Sequence, residues 1–171
     1  MDLQPLNIIT PRLTIKHFDL SMAHDVLVNS HDEDVKTFTP DEYFEDDEQV
    51  TDLLKRFISN YETLTSPLVY PVFLADINIG YVQVVQLENK NWEVGYHIAK
   101  PFTKKGYGSE ALAAFLPSIM KKLDIDKVYG IADMNNLQSI TIMKKCDFVL
   151  TDYTYRNDRL VYVYQAPQTI R

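Results

Sequence analysis

Cysteine is nearly missing from this chain. Cys146 stands alone among 171 residues, which excludes an intramolecular disulfide and suits a reducing, cytoplasmic setting. Glycine is scarce as well, with only 5 copies, so the position of each one carries information. No uninterrupted apolar run approaches the ~20 residues a membrane span needs. The opening MDLQPLNIITPR lacks the basic start and apolar core of a signal peptide, and no membrane partner is expected. Positive charge is in deficit: 17 Lys and Arg against 24 Asp and Glu leave a net −7. That balance argues against general nucleic-acid binding and favours cationic partners, over the short range that salt screening permits. His17, His24, His31 and His97 show no metal-ligand spacing with one another or with Cys146. No metal is expected, and each histidine reads as a surface or core residue.

What is present is a globular composition. With 46% hydrophobic and 24% charged residues, the chain reads as one domain over residues 1–171 with a sizeable core. Apolar periodicity predicts a strand at 12–18 and a helix at 19–30. A polar, turn-rich stretch at 31–45 precedes a helix at 46–64, whose N-terminal acids suit the helix dipole. Residues 68–87 read as two strands around a turn at Asp76–Asn78, and 91–99 as another strand. The second half alternates: helix 107–122, strand 126–132, helix 136–146, then strands 148–155 and 159–165 with Asn157 and Asp158 at the turn. Pro117 is expected to remove one hydrogen bond from its helix and bend it, and the tail after Pro167 to fray. The fold class is a mixed sheet with helices, α/β or α+β.

Two of the few glycines sit one residue apart in FTKKGYGSEALAAFL, residues 102–116, at the mouth of a helix. Either the backbone turns tightly there, or a bulky anion approaches orphan N–H groups at the helix start. Gly106 and Gly108 remove side chains that would block such an approach, and Lys104 and Lys105 add positive charge. No G-K-[ST] closes the segment, so it is not a Walker loop, and the third glycine of a dinucleotide fingerprint is missing.

Three further stretches give this segment a context. IITPRLTIKHF, EVGYHIAKPFTKKGYGSEAL and NNLQSITIMKKCDF occur in that order. They resemble the T-x-R-L-x-L-R strand, the E-I-G-Y-x-I…G-K-G-Y-A-T-E-A-L tract and the E-N-x-x-S-x-x-x-x-E-K-x-G-F helix of one family. That family is the GNAT superfamily of acyl-CoA-dependent N-acetyltransferases, and the branch most similar is the RimJ/RimL-like one, which acetylates ribosomal-protein N-termini. The resemblance implies a GNAT fold: a twisted mixed sheet of about seven strands flanked by about four helices. Its fourth and fifth strands, residues 91–99 and 126–132 here, would splay into a V that admits acetyl-CoA. Pantetheine would pair with backbone near Ile98 and Ala99, and the pyrophosphate would sit on the loop Thr103, Lys104, Lys105, Gly106, Tyr107, Gly108 and Ser109. Asn136 would hold the fifth strand or the pantetheine. The chain departs from the family pattern at Thr103, where Gln or Arg is usual, at Asp147, where glycine is usual, and at Met143, where many members carry an acid tyrosine.

The implied chemistry is attack of a neutral amine on a thioester. An α-amine of pKa ~8 is roughly a tenth neutral at pH 7, whereas a lysine at ~10.4 is below about one part in a thousand. An N-terminal α-amine therefore needs only a modest base, and Glu93 is the candidate, acting through water. Ser139 is the candidate donor to the leaving thiolate. The plain alternatives are a solvated strand residue for Glu93 and a helix-surface residue for Ser139. Tyr153, Tyr155, Tyr162 and Tyr164 alternate on the terminal hairpin as strand residues, one of which could instead line the acceptor pocket or act as the acid. DEYFEDDEQVTD, residues 41–52, holds seven carboxylates. It is either a solvated loop or an acceptor wall that attracts a cation. The expected acceptor is a basic protein N-terminus. A polyamine, an aminoglycoside or a non-catalytic acyl-CoA-binding role are the alternatives, and the protein is expected as monomer or homodimer.

Overall fold

The computed structural model describes residues 4–154 and 158–167, without the side chains of Tyr153 and Thr154. The turn at Asn157 and the tail after Pro167 lie outside those residues, as does Tyr155.

Two short strands open the chain, β1 (Ile8–Ile9) and β2 (Leu13–Ile15). A 3-10 turn at Leu20–Met22 leads into α1 (Ala23–Ser30), followed by α2 (Glu33–Phe38), a 3-10 turn at Pro40–Glu42 and α3 (Asp47–Thr63). Then come β3 (Leu68–Leu74), β4 (Ile77–Gln86), β5 (Trp92–Ile98), α4 (Tyr107–Leu123), β6 (Lys127–Asp133), α5 (Leu137–Lys145), β7 (Val149–Thr154) and β8 (Arg159–Gln165). The strands form one mixed sheet in the order β1-β2-β3-β4-β5-β6-β8-β7. Among the described residues there are thus eight strands where about seven were expected, and five α-helices where about four were. The added strand is β1, which pairs only with β2. The added helix is α2, inside the stretch read as turns. Asp32 caps it by accepting from Asp34 N–H, and of its six residues only Val35 is buried. One buried residue gives no helical period to read. Helix α4 runs through Pro117 to Leu123 without a break.

The sheet is packed on both faces. One core joins Leu112, Phe115, Leu116 and Ile119 of α4 to Tyr70, Val72, Val82, Val94 and Val128. The other joins Val50, Leu54 and Phe57 of α3 to Phe18, Val69 and Phe73. Strand β3 lies under both layers, which explains its run of buried residues from Leu68 to Phe73 in place of an apolar–polar alternation. Phe115 is fully buried, where truncation to alanine typically costs ~3–5 kcal/mol.

One pairing in the sheet differs from the rest. Strands β4 and β5 are in register from Gly80↔Ile98 to Gln86↔Trp92. Parallel strands β5 and β6 share a single pair, Glu93↔Tyr129. Beyond it they part, and the V implied by the resemblance is present. Gly80 is required at its rim, because a Cβ there would stand 1.9 Å from the carbonyl oxygen of His97.

Two partly buried imidazoles tie stability to pH. His17 stacks on Tyr61 with centroids 3.9 Å apart, and its Nε2 accepts from Leu6 N–H at 3.2 Å. Burial, aided by nearby Lys122, lowers its pKa from 6.5. Burial also lowers that of His97, against the opposing pull of Asp32 and Asp34. The unfolded chain therefore binds these protons more readily than the folded one. The contribution of these two imidazoles to stability is complete above about pH 6.5 and is lost as pH falls through that value and below. The thermal midpoint should drop on acidification from about pH 7.5 to about pH 5.5, and His17→Gln should flatten the drop. A midpoint constant across that range would contradict this account.

Candidate active site

The open edge of β5 follows from ladder geometry. Ala99 N–H donates to Ile79 O at 2.8 Å. In an antiparallel ladder the backbone groups of successive residues point to opposite sides. The N–H and C=O of His97 therefore face β4, while those of Tyr96 and Ile98 face the V, where β6 has moved away. Ala99 is otherwise placed: its N–H is taken by Ile79, and its carbonyl accepts from Phe102 N–H at 2.8 Å. Of the two residues expected to meet pantetheine, Ile98 presents free backbone to the cleft and Ala99 does not.

The edge leads to the start of α4. Lys104 and Gly106 both take left-handed backbone, with φ of 61° and 82°. Gly106 occupies the N-cap and offers no capping side chain. The first helical bond runs from Glu110 N–H to Gly106 O at 3.0 Å, so the N–H groups of Tyr107, Gly108 and Ser109 precede it. The two glycines have different reasons to be there. Gly106 supplies bare backbone in the left-handed region. At Gly108 a Cβ would lie 2.6 Å from Ile142 Cδ1, so this glycine lets α5 pack against α4. The loop is gripped from the far end of the sequence. Arg12 Nε donates to Glu110 Oε2 at 2.6 Å, and its Nη1 to Lys105 O at 2.9 Å. Thr10 Oγ1 donates to Glu110 Oε1 at 2.7 Å, and the Arg12 guanidinium lies over the Tyr107 ring. Thr103 Oγ1 turns inward to donate to Lys100 O at 2.8 Å.

Two adjoining hollows follow this edge. One, of about 460 Å³, is lined by Ile98, Thr103, Lys104, Gly106, Tyr107, Gly108 and Ser109 with Leu137 and Ile142 of α5. Leu137 is 70% exposed at its margin, an apolar surface left open beside the cleft. The second, of about 70 Å³, is lined by Ile98, Asn136 and Ser139 together with Tyr96 and His97, and is closed by Phe38 and Thr39. Lys105 and Glu93 line neither.

At the narrow end the hydroxyls are linked. Tyr96 Oη donates to Ser139 O at 2.7 Å, and Ser139 Oγ donates to Tyr96 Oη at 2.9 Å. Asn136 caps α5 by accepting from Ser139 N–H at 3.1 Å. Burial raises the Tyr96 pKa well above the ordinary phenol value, so Tyr96 is a hydrogen-bond donor rather than a strong acid. Met143, at the position of the family's acid tyrosine, is 1% exposed, and its sulfur fills the space over Gly130. Asp147 holds the left-handed turn (φ 66°) where the family usually has glycine. Cys146 is buried and donates to Ser109 O at 3.5 Å. Burial pushes its thiol up to about 11, which leaves it inert at neutral pH.

Glu93 sits at the one β5–β6 pair, on the opposite face of β5 from Tyr96. Burial raises its pKa and Arg159 opposes the rise. It stands four residues from His97 on the same face, roughly 13 Å at ~3.3 Å per residue. Tyr96 and His97 were not singled out from the sequence as site residues. The EVGYH stretch contained them, yet only the backbone register shows that the side chain of one faces the α5 side of the sheet and that of its neighbour the opposite layer. Among the described residues no helix is long and apolar enough to cross a membrane, and no group of three His, Cys, Asp or Glu could hold a metal.

Comparison with known proteins agrees with this geometry. Residues 12–149 match the Acetyltransferase (GNAT) domain family. The chain is 25% identical over 143 residues to "Uncharacterized N-acetyltransferase YnaD" of Bacillus subtilis (strain 168), covering 82% of this chain and 81% of that one. Among solved structures, the ribosomal L7/L12 alpha-N-protein acetyltransferase RimL in complex with coenzyme A superposes with a TM-score of 0.83 at 16% identity, over 94% of this chain and 98% of that one. A GNAT-family acetyltransferase from Bacillus anthracis gives 0.77 at 20% identity, over 94% and 98%. At such identities the structural likeness speaks for the fold, and the domain match across most of the length speaks for the family. A parted strand pair, a bare helix start gripped by Arg12 and a domain match running through both together place this chain in the GNAT family of N-acetyltransferases.

Proposed function

We propose that this enzyme transfers the acetyl group of acetyl-CoA to an α-amine, that of a protein or peptide N-terminus. The observation that carries the reading is one cleft bordered by two sets of unpaired backbone groups, those of Tyr96 and Ile98 on β5 and the N–H groups that begin α4, with the paired Ala99–Thr103 turn between them. An edge of that kind matches the amides of pantetheine, and a bare, positively polarised helix start matches a diphosphate. Lys104 adds charge at the same hollow. The donor set therefore fits acetyl-CoA, which supplies the thioester. RimL, named for an α-amine acceptor, supports the choice of acceptor.

Each residue then has a defined task. Ile98 N–H faces the V and donates to the carbonyl oxygen as charge develops there, a contribution of typically ~3–4 kcal/mol. The amine nitrogen forms the new C–N bond while the C–S bond breaks. When the thioester is in place, Ser139 Oγ exchanges its bond to Tyr96 Oη for one to the departing sulfur, while Tyr96 keeps its bond to Ser139 O and fixes α5 beside the cleft. With its pKa raised above ~10, Tyr96 does not hand a proton to a thiolate of ~8.5, so the thiol takes its proton from water. Glu93 accepts the amine's proton at the end of a water relay. Its raised pKa makes it a better base than an exposed carboxylate.

Two measurements test this. Gly106→Val should weaken CoA binding at least tenfold, about 1.4 kcal/mol, and leave binding of pantetheine unchanged, as read by calorimetry. Equal losses for both ligands would remove the diphosphate from the α4 start. Glu93→Gln should lower turnover by roughly 10²-fold at neutral pH, with unchanged acetyl-CoA affinity and a defect that shrinks as pH rises and the amine becomes neutral by itself. Normal turnover in the folded variant would exclude Glu93 from the proton path.

A further inference from the structure

A chamber of about 280 Å³ lies under α1, the Pro40–Glu42 turn and α3, on the face of the sheet opposite α4. Phe18, Val26, Val35, Phe44, Leu53 and Phe57 make most of its wall apolar. Its polar lining includes Arg56 of α3 and Gln83 of β4 as well as Glu42, Tyr81 and His97. Tyr81 donates its phenolic hydrogen to Glu42, and the His97 ring lies 6.0 Å from that of Tyr81. His97 Nε2 is buried and has no hydrogen-bond partner. Asp32 Oδ1 is 3.9 Å away, beyond hydrogen-bonding distance. Tyr81 and His97 also line the small hollow that holds Tyr96 and Ser139. The two spaces therefore meet at this pair, one on the acceptor side and one at the narrow end of the cofactor cleft.

A buried polar atom without a partner marks a place where something else completes the bond. The wall restricts what that can be. A polyamine or an aminoglycoside would bring several charged or hydroxyl groups into apolar surroundings, each costly without a partner. A molecule with one amine on an apolar body sets its body against the phenylalanines and its nitrogen at His97. Resting on the acetyltransferase reading above, we propose that this chamber is the acceptor subsite, that it selects a primary amine borne on a compact apolar group, and that His97 Nε2 first takes that amine's proton. The amine enters as an ammonium attracted by Glu42 and Asp41, against the opposing charge of Arg56 in the same wall. Its proton passes to Nε2, the freed lone pair attacks the thioester carbon, and C–N forms as C–S breaks. The proton leaves His97 through water, and the thiolate gains one from the same source. The charged and titratable groups facing the imidazole are Asp32 and Asp34 from the start of α2, Tyr81 from β4 and Glu42 from the turn. Burial holds the imidazole neutral and the aspartates oppose that only in part, so the ring can accept a proton in the tautomer that leaves Nε2 without its hydrogen. Glu93, farther down the same face, is then the distant end of the relay.

Two sources share this chemistry: a free aromatic monoamine, and a peptide whose first side chain is large and apolar. Steady-state kinetics with acetyl-CoA and phenethylamine, a Phe-initiated peptide, a Ser-initiated peptide, spermidine and kanamycin separate them. The expected result is a kcat/KM at least tenfold higher for phenethylamine or the Phe peptide than for the other three, and the better of the two identifies the source. Leu53→Trp, and Val26→Phe if the first does not fold, should raise KM for that acceptor at least tenfold while CoA affinity stays unchanged. His97→Gln should lower kcat by about 10³-fold, more than Glu93→Gln does, with the loss shrinking as pH rises. Preference for spermidine, kanamycin or the Ser peptide overturns the assignment, as does an unchanged KM in the filled chamber or wild-type kcat in His97→Gln. In each of those cases intact CoA binding leaves the acetyltransferase reading standing. A wild-type protein that binds no CoA overturns both.

Discussion

Strands β5 and β6 touch at one residue pair and then separate, and the rest of the site depends on that separation. A buried backbone amide left without a partner costs ~1–3 kcal/mol. The sheet tolerates such groups at Tyr96 and Ile98 because the gap between the strands stays open to water or to another amide. The strands are kept apart from both sides. Below Ile98, Ala99 locks into Ile79 and Phe102. Across the gap, the Tyr96–Ser139 hydrogen bonds hold α5 against β5. A cleft built this way recognises backbone-like chemistry before any side chain takes part.

The second dependence is electrostatic. The start of α4 has no capping side chain, and its first acid, Glu110, is turned away from the orphan N–H groups by Thr10 and Arg12. Had Glu110 faced those groups, its carboxylate would compete with an incoming anion. Arg12 thus does two things at once: it neutralises the nearest acid and fixes the carbonyl of Lys105, so that the loop keeps its shape.

Much of this was legible in the sequence because it rests on periodicity. The helix expected at 46–64 is Asp47–Thr63, and that expected at 107–122 is Tyr107–Leu123. The features that were not legible depend on contacts between distant segments. Whether Ala99 or Ile98 faces the cleft is set by a register with Ile79. The reason for glycine at 108 is Ile142, on another helix. His97 reads as one more structural histidine until the short helix α2 is seen to place Asp32 near its Nε2 without reaching it. Local pattern decides where elements lie, whereas facing and partnership belong to the assembled chain.

The grip of Arg12 on Glu110 joins residues 98 positions apart, and this bears on how the protein matures. Contacts of such sequence separation form late, because the intervening loop must be closed before they are rewarded. During synthesis the β1–β2 segment leaves the ribosome well before α4, and Arg12 has no Glu110 to hold until that helix emerges. The cofactor loop is therefore shaped near the end of folding. A chain nicked or stalled before residue 110 would hold every residue of the β3–β5 ladder and of the chamber under α1 and α3, yet have no gripped helix start.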